Sequence, residues 1–419
     1  MKNNNRVELK NILIKDGSIS YSYIASGAIA DFFNKDDILT IDYGEDMSLI
    51  PDAVSAIVFV ANLLPLIWLY DAELVIPKLD KSFYESIDAF KNGFIHMYPK
   101  VELKGHINVI SVVDCSRTDA VGDILFFSGG VDAVSSLVRL IDDSKNPILM
   151  TLWGADIDLS DTDGWMNKTK HTKLISKRFN LDCEFVKTNF RTFIKEGAVD
   201  RIVQPLIGDG WWHGLQHGVG IISHAAPYAY KYNIKTVYIA SSYTKGDIYT
   251  CASDPSIDNY IKFGSSNVVH DGYELTRQEK VQTIGNFITK KLIKIPLIVC
   301  WESTGGVNCG HCEKCMRTAA GLIVEGYDPE EYSICGFDSR ILRKFIFSSL
   351  PFPVASIPGW NSIKRKVDYG NSPFNQKKYD ISWIKEVDFN NINNTKKRLA
   401  RTWIVSNLRK VIKRVKKHD

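Results

Sequence analysis

No stretch of this chain reads as a secretory leader, a membrane anchor or a disulfide framework. Its first ten residues, MKNNNRVELK, are polar where a leader needs an apolar run. The longest apolar run, Ala56 to Tyr70, is broken by Asn62 and Pro65 and stops at Asp71, too short for a membrane span. The chain has eight cysteines, and four of them cluster, which points to a metal site in a reducing cytoplasm. A basic body is missing as well. Ten of the 52 Lys/Arg and one of the 48 Asp/Glu lie from Lys396 onward, so the preceding 395 residues carry 42 basic against 47 acidic groups. That balance argues against a nucleic-acid binder outside the tail. What remains is a globular composition, 45% hydrophobic and 24% charged, in 419 residues, enough for two or three domains and a large core.

The most informative stretch is ILFFSGGVDAVSSL, Ile124 to Leu137. Four apolar residues run into Ser128, Gly129 and Gly130, and Val131, Asp132, Ala133, Val134 and Leu137 follow at helical spacing. The pattern predicts a buried strand, a tight loop and a helix start. Such a loop turns backbone N–H groups inward at the positive end of a helix dipole and can receive a phosphate or pyrophosphate. Ser128 adds a hydroxyl donor. Asp132, an acid beside phosphates, implies an intervening Mg2+. The Gly-Lys-Ser/Thr of a Walker A loop is missing. A purely structural turn is the alternative reading.

Around this loop the chain divides into three. Residues 1–118 alternate short β-type runs (Asn11–Ile14, Ser18–Ile24, Ile38–Tyr43, Ala56–Ala61, His106–Val113) with polar breaks and one helical stretch, Phe83–Phe94, and read as a separate α+β domain. Residues 119–330 alternate strands and helices as in a doubly wound parallel sheet, with strands at Pro147–Trp153, Cys183–Thr188 and Thr236–Ala240 and a helix from Trp165 to Phe179. Ligands of such sheets bind beyond the carboxyl ends of the strands, which puts an adenine and ribose near Leu152, Trp153, Gly154 and Ala155, and the hydroxyls of Ser241, Ser242 and Tyr243 in the cleft. Asp156, Asp158 and Asp161 are ribose or metal candidates, or simply solvated. Residues 331–419 read as a helical appendage. Ile404, Val405, Leu408, Val411, Ile412 and Val415 form one stripe of a final helix whose other face is basic. That face is solvated, or meets a membrane surface, a nucleic acid or an acidic partner.

Two histidines, His213 and His217, stand four apart and face the same way if a helix has begun there. They read as phosphate or substrate contacts, or as packed core residues; His224 reads as structural. Thr276 and Glu279 make a capping box, and Arg277 and Lys280 follow on the first turns, facing an anion or solvent. Cys300, Cys309, Cys312 and Cys315, in CWESTGGVNCGHCEKC, satisfy tetrahedral zinc. A ferredoxin-type cluster, the alternative, would need a cysteine where Ala319 stands. All four positions are protein ligands, so the site is structural.

SGGVDA resembles the SGGxDS loop of the pyrophosphate-loop ATP pyrophosphatases. Together with the cysteine knuckle about 170 residues later and Arg317 after it, residues 120–325 resemble 7-cyano-7-deazaguanine synthases and their paralogues. The resemblance implies an adenine nucleotide alpha hydrolase-like (HUP) fold and bound ATP, Mg2+ and Zn2+. Ser128 to Asp132 would hold the pyrophosphate, with Ser135 in reserve for the serine replaced by Ala133. Leu152, Trp153 and Gly154 would take the adenine, with His217 as a further contact. Asp132, His213 and Lys280 would be catalytic. The helix at Trp211 lacks the Pro-x-Arg-Asn of the true synthases, so the substrate is not carried over. The expected reaction is adenylation of a carboxylate or amide, then displacement of AMP by ammonia or an amine, with no covalent nucleophile on the protein. Paralogues act in bacterial antiphage defence or surface-polysaccharide loci, which implies a small molecule or protein terminus as substrate and operon-encoded partners. A non-catalytic nucleotide-binding subunit and a tRNA sulfur transferase, using Cys251 or Cys183, are the alternatives.

Overall fold

The computed structural model describes residues 5–34, 38–247, 249–300, 305–348, 351–368 and 379–394. The chain divides into two compact units, residues 1–274 with 304–307 and residues 275–303 with 308–419.

In the first unit the strands are β1 (Arg6–Lys15), β2 (Ser18–Ser26), β3 (Thr40–Asp42), β4 (Glu73–Asp80), β5 (His106–Val113), β6 (Val121–Phe126), β7 (Ile148–Trp153), β8 (Cys183–Thr188), β9 (Ile234–Ala240), β10 (Lys262–Phe263) and β11 (Ser266–Asp271). Among the described residues they form one mostly parallel sheet in the order β10-β11-β9-β6-β7-β8-β3-β2-β1-β4-β5. The segment expected as an independent α+β domain supplies five of these strands, joined to the others where β3 pairs antiparallel with β8. The hairpin β1/β2 turns on Asp16 (φ 51°) and Gly17 (φ 80°), an Asp-Gly pair suited to a two-residue turn in which both central residues have positive φ.

The central five strands explain where a ligand would go. β6 pairs in parallel with β7 on one side and β9 on the other, β7 with β8, and β9 with β11. Starting at β6, the chain moves outward in one direction and then returns to continue in the other. Ligands of such sheets bind at the point of reversal, here the carboxyl ends of β6 and β9.

Two expectations fail here for identifiable reasons. Ala56–Ala61, expected as strand, lies in helix α1 (Asp52–Leu69). Every residue from Ala53 to Trp68 is buried, so no polar face reveals the helical period, and the β-branched run imitates a strand. The helix is long and apolar enough to cross a membrane by length and composition, longer than the sequence suggested, but 89% of it is buried inside the protein. Strand β4 was missed because Pro77 interrupts it. Only Glu73 to Val75 pair with β1, so the proline lies past that ladder. Helix α2 (Lys81–Met97), expected from Phe83, is N-capped by Asp80, whose carboxylate accepts from Phe83 N–H at 2.9 Å.

The second unit is helical. Arg277–Lys291 opens with the expected capping box, and Glu313–Val324, Ser339–Ser348 and Ile357–Asp368 follow. The last of these begins inside the proline-rich LPFPVASIPGW, and Pro358 sits in its first turn, where a missing N–H costs nothing. Trp360 stacks on Phe389 with ring centres 5.6 Å apart and anchors a small core. The basic amphipathic helix expected at Ile404–Val415 lies outside the described residues.

Candidate active site

The loop after β6 is built as its sequence implies. Phe127 N–H bonds to Met150 O at 2.8 Å, extending the sheet by one residue, and the chain then turns through Ser128, Gly129 and Gly130 into α3 (Val131–Asp142). Gly129 has φ 72°, and a Cβ on it would meet His171 Cε1 at 2.6 Å. Gly130 is the N-cap, and Val134 N–H to Gly130 O, at 2.9 Å, closes the first helical turn. The N–H groups of Val131, Asp132 and Ala133 precede that bond and belong to the unladdered start of the helix. Ser128 is exposed, and Asp132 is half-buried in the first turn.

Helix α4 (Thr162–Phe179) supports this loop with two residues that the sequence did not single out. Lys168 donates its ammonium to Ser128 O, and the His171 ring stacks on Phe127, with centres 6.1 Å apart and planes 9° apart. Both are buried. They sit three apart, one turn along the helix, but in TDGWMNKTKHTK they are lost among polar neighbours and no apolar stripe marks the face.

The serines after Ala133 differ in their surroundings. Ser136 donates to Asp271 at 2.6 Å, beside Arg139 at 3.3 Å from the same carboxylate, so it is committed to joining α3 to β11. Ser135 is 2% exposed, and its Oγ has no hydrogen-bond partner among the described residues. At the end of β7, Gly154 has φ 104°, and a Cβ there would run into Thr188 O, which explains why glycine must follow Trp153. Trp153 lies flat on Trp165 at 5.2 Å, and its indole N–H donates to Asp158 O at 3.0 Å. Leu152 is buried; Asp161 caps α4 through Gly164 N–H at 2.8 Å.

His213 and His217 do stand together, but on unexpected backbone. Trp212–Gln216 forms a π-helical turn that passes into the α-helix His217–Ser223. Wider π turns occur disproportionately at functional sites. Nδ1 of His213 bonds the Asp209 carboxylate, and Nε2 lies 3.1 Å from the Tyr243 hydroxyl. Nδ1 of His217 lies 3.6 Å from Cys251 Sγ, which also accepts from Ser253 N–H at 3.4 Å. Ala252 N–H to His213 O, at 2.8 Å, fixes the cysteine segment against the turn. Bonds to Asp209 and Cys251 raise His213 to about 10. Burial pulls His217 down, but Cys251, with Asp156 nearby, outweighs it and moves the group up. Burial likewise pushes the Cys251 thiol up, and hydrogen bonds and positive charge from the two histidines reverse this, to about 6. Cys251 was weighed in the sequence, but nothing there brought it to histidines more than 30 positions away. Cys183 is half-buried in β8. His224 is fully buried, with Nδ1 2.7 Å from Gly220 O and Nε2 3.1 Å from Thr188 Oγ1, a structural residue as expected.

The cysteine cluster lies in the second unit. Sγ of Cys300 and Cys312 are 3.7 Å apart, those of Cys309 and Cys315 4.0 Å, and all four lie within 4.8 Å of one another. Disulfides would need about 2.05 Å. Ligands about 2.3 Å from a tetrahedral centre lie roughly 3.8 Å apart, so the four sulfurs can hold a metal ion such as zinc. Backbone N–H groups of Cys312 and Cys315 point to Sγ of Cys309 (3.2 Å) and Cys312 (3.4 Å), as thiolates favour. Asn308 braces the approach, accepting from Val299 and Cys300 N–H and donating to Leu297 and Ser333 O. After the knuckle, Arg317 pairs with buried Glu313 at 2.7 Å. Lys280, expected as catalytic, is buried in the helix Arg277–Lys291 of this unit. Comparison of the chain with protein-family models and with curated proteins finds no match to either.

Proposed function

We propose that this chain is an ATP-dependent adenylating enzyme that converts ATP to AMP and pyrophosphate while activating a carboxylate or amide oxygen. The observation that carries the reading is the strand–SGG–helix turn at the reversal point of the sheet, where backbone N–H groups precede the first helical bond and Gly129 leaves no Cβ over the loop. That is a fitting cradle for a pyrophosphate, and the fold fits the nucleotide hydrolase-like class on the same ground. In this reading Ser128 to Asp132 hold the ATP pyrophosphate, and Trp153 and Gly154 line the adenine side. Asp132 would hold Mg2+, whose charge would offset that of the phosphates.

The substrate oxygen attacks the α-phosphorus, the bond to pyrophosphate breaks, and an acyl or imidoyl adenylate remains. A nitrogen nucleophile then takes the acyl carbon and AMP leaves. Lys280 keeps the cationic role given by resemblance. Zinc is the metal we assign to the cysteines, as a brace, because all four ligands are protein. Eight cysteines outside any disulfide, four of them at the metal site, fit a reducing cytoplasm.

The test is incubation of the full chain with ATP and Mg2+, with and without candidate carboxylates or protein partners, followed by chromatography for AMP. AMP and pyrophosphate in equal amounts are expected. No turnover under any of these conditions, with nucleotide still bound, favours the second reading, a non-catalytic nucleotide-binding subunit, to which the replacement of serine by Ala133 points.

A further inference from the structure

Cys251 is not an isolated thiol. Its sulfur lies 3.6 Å from His217 Nδ1 and accepts from Ser253 N–H, and the neighbouring His213 reaches Tyr243 in the segment after β9. His217 is the imidazole within hydrogen-bond reach of the sulfur, the nucleophile–base pair that activates thiols in acyl transfer, and beside it Asp209 and Tyr243 hold the two ring nitrogens of His213. Tyr243 follows β9, and Asp156, which bears on His217, follows β7. Both strands run parallel to β6, so this group lies at the same edge of the sheet as the glycine loop. Cys251 is 3% exposed, and the nearby His213 side chain, which shares the π turn with the bonded His217, is 39% exposed.

We propose that Cys251 is a covalent nucleophile that accepts the acyl group from the adenylate as a thioester and passes it to an amine, a step resting on the adenylating function proposed above. The thiolate attacks the acyl carbon; the carbon–oxygen bond to AMP breaks, and its electron pair leaves on the phosphate. With the thiolate consumed, His217 loses a charged partner and releases its proton to solvent. The amine then attacks the thioester carbon, neutral His217 takes the amine proton, and the carbon–sulfur bond breaks to restore the thiolate–imidazolium pair.

The groups bearing on the thiolate are His213 and His217 from the π turn and its helix, Tyr243 after β9, and Tyr98 at the end of α2. Asp156 and Asp258 act on it through His217. Of these, His217 lies within hydrogen-bond distance of the sulfur, and the two histidines together bring the thiol down to about 6.

The experiment treats the full chain with acetyl adenylate, which bypasses the ATP step, and reads the intact mass and the modified peptide. One acetyl group on Cys251, released by neutral hydroxylamine and absent from Cys251→Ser, is expected. In parallel, the rate of iodoacetamide alkylation at Cys251 is followed with pH. Its inflection is expected near 6, against about 8.5 for an ordinary thiol, and His217→Gln should move it up by about one unit or more. No acetyl group on Cys251 of the wild-type chain, or an inflection near 8.5, overturns the proposal. AMP release from ATP without acetylation removes the thioester alone; acetylation without AMP release removes the adenylating function on which the step rests.

Discussion

Gly129→Ala probes the glycine loop through two separable costs. At φ 72° an alanine enters the left-handed region, which costs roughly 1–2 kcal/mol. Its Cβ would also stand 2.6 Å from His171 Cε1, and that ring cannot swing away freely because it is buried and stacked on Phe127. Overpacking of this kind costs about 1–3 kcal/mol, so the substitution should destabilise the protein by roughly 2–5 kcal/mol in all. In a His171→Ala background the second cost disappears and only the backbone cost of about 1–2 kcal/mol remains. A double-mutant cycle by urea unfolding therefore yields a coupling of roughly 1–3 kcal/mol between positions 129 and 171. AMP release should fall at least about tenfold in Gly129→Ala, since only 1.4 kcal/mol of lost loop geometry is needed for that. Equal costs in both backgrounds, or a neutral Gly129→Ala, would refute the close packing of loop and ring on which the cradle rests.

Asp132→Ala should abolish AMP release while leaving the unfolding midpoint close to wild type, because the residue is half-buried at a helix start; undiminished release removes it from the mechanism. The purified chain should carry one zinc, with no iron–sulfur absorbance. Cys309→Ser or a strong chelator should release the metal and lower the unfolding temperature of the second unit, at a cost of several kcal/mol given apparent zinc affinities of about 10–16 kcal/mol in small domains. Burial depresses His224 from 6.5 to about 4, outweighing its backbone hydrogen bonds. Its contribution is therefore complete above pH 6.5, where the unfolded chain also leaves it neutral, and is lost as pH falls toward 4. That amounts to about 3 kcal/mol on the scale of 1.36 kcal/mol per pH unit, and the pH dependence of urea unfolding should flatten by about this much in His224→Gln.

The local signals in this sequence were the readable ones. The strand and loop at Ile124–Gly130, the capping box at Thr276 and the four cysteines each declare themselves within about 15 residues, because their chemistry is set by neighbours along the chain. The structure describes all three accordingly. What could not be read depends on distant partners or on missing contrast. Helix α1 is buried on every side, so its sequence has no polar face to give the period away. Lys168 and His171 become meaningful only when α4 is laid against the loop after β6. Cys251 gains its histidines through a π turn, a geometry for which no residue pattern in Trp211–Tyr230 is diagnostic.

Strand β3 is only three residues long, and through Ile41 and Asp42 alone it meets Thr188 and Lys187 of β8. Those few peptide groups make it the hem of the five-stranded parallel run β11-β9-β6-β7-β8, covering part of an edge that other chains could otherwise extend. A fragment beginning near residue 119 would unpair Thr188 and Lys187, leave the outer edge of β8 without a neighbouring strand, and should self-associate. Shortened forms made for crystallisation or assay should therefore retain residues 38–43, or carry a lysine or proline on the bared strand in their place.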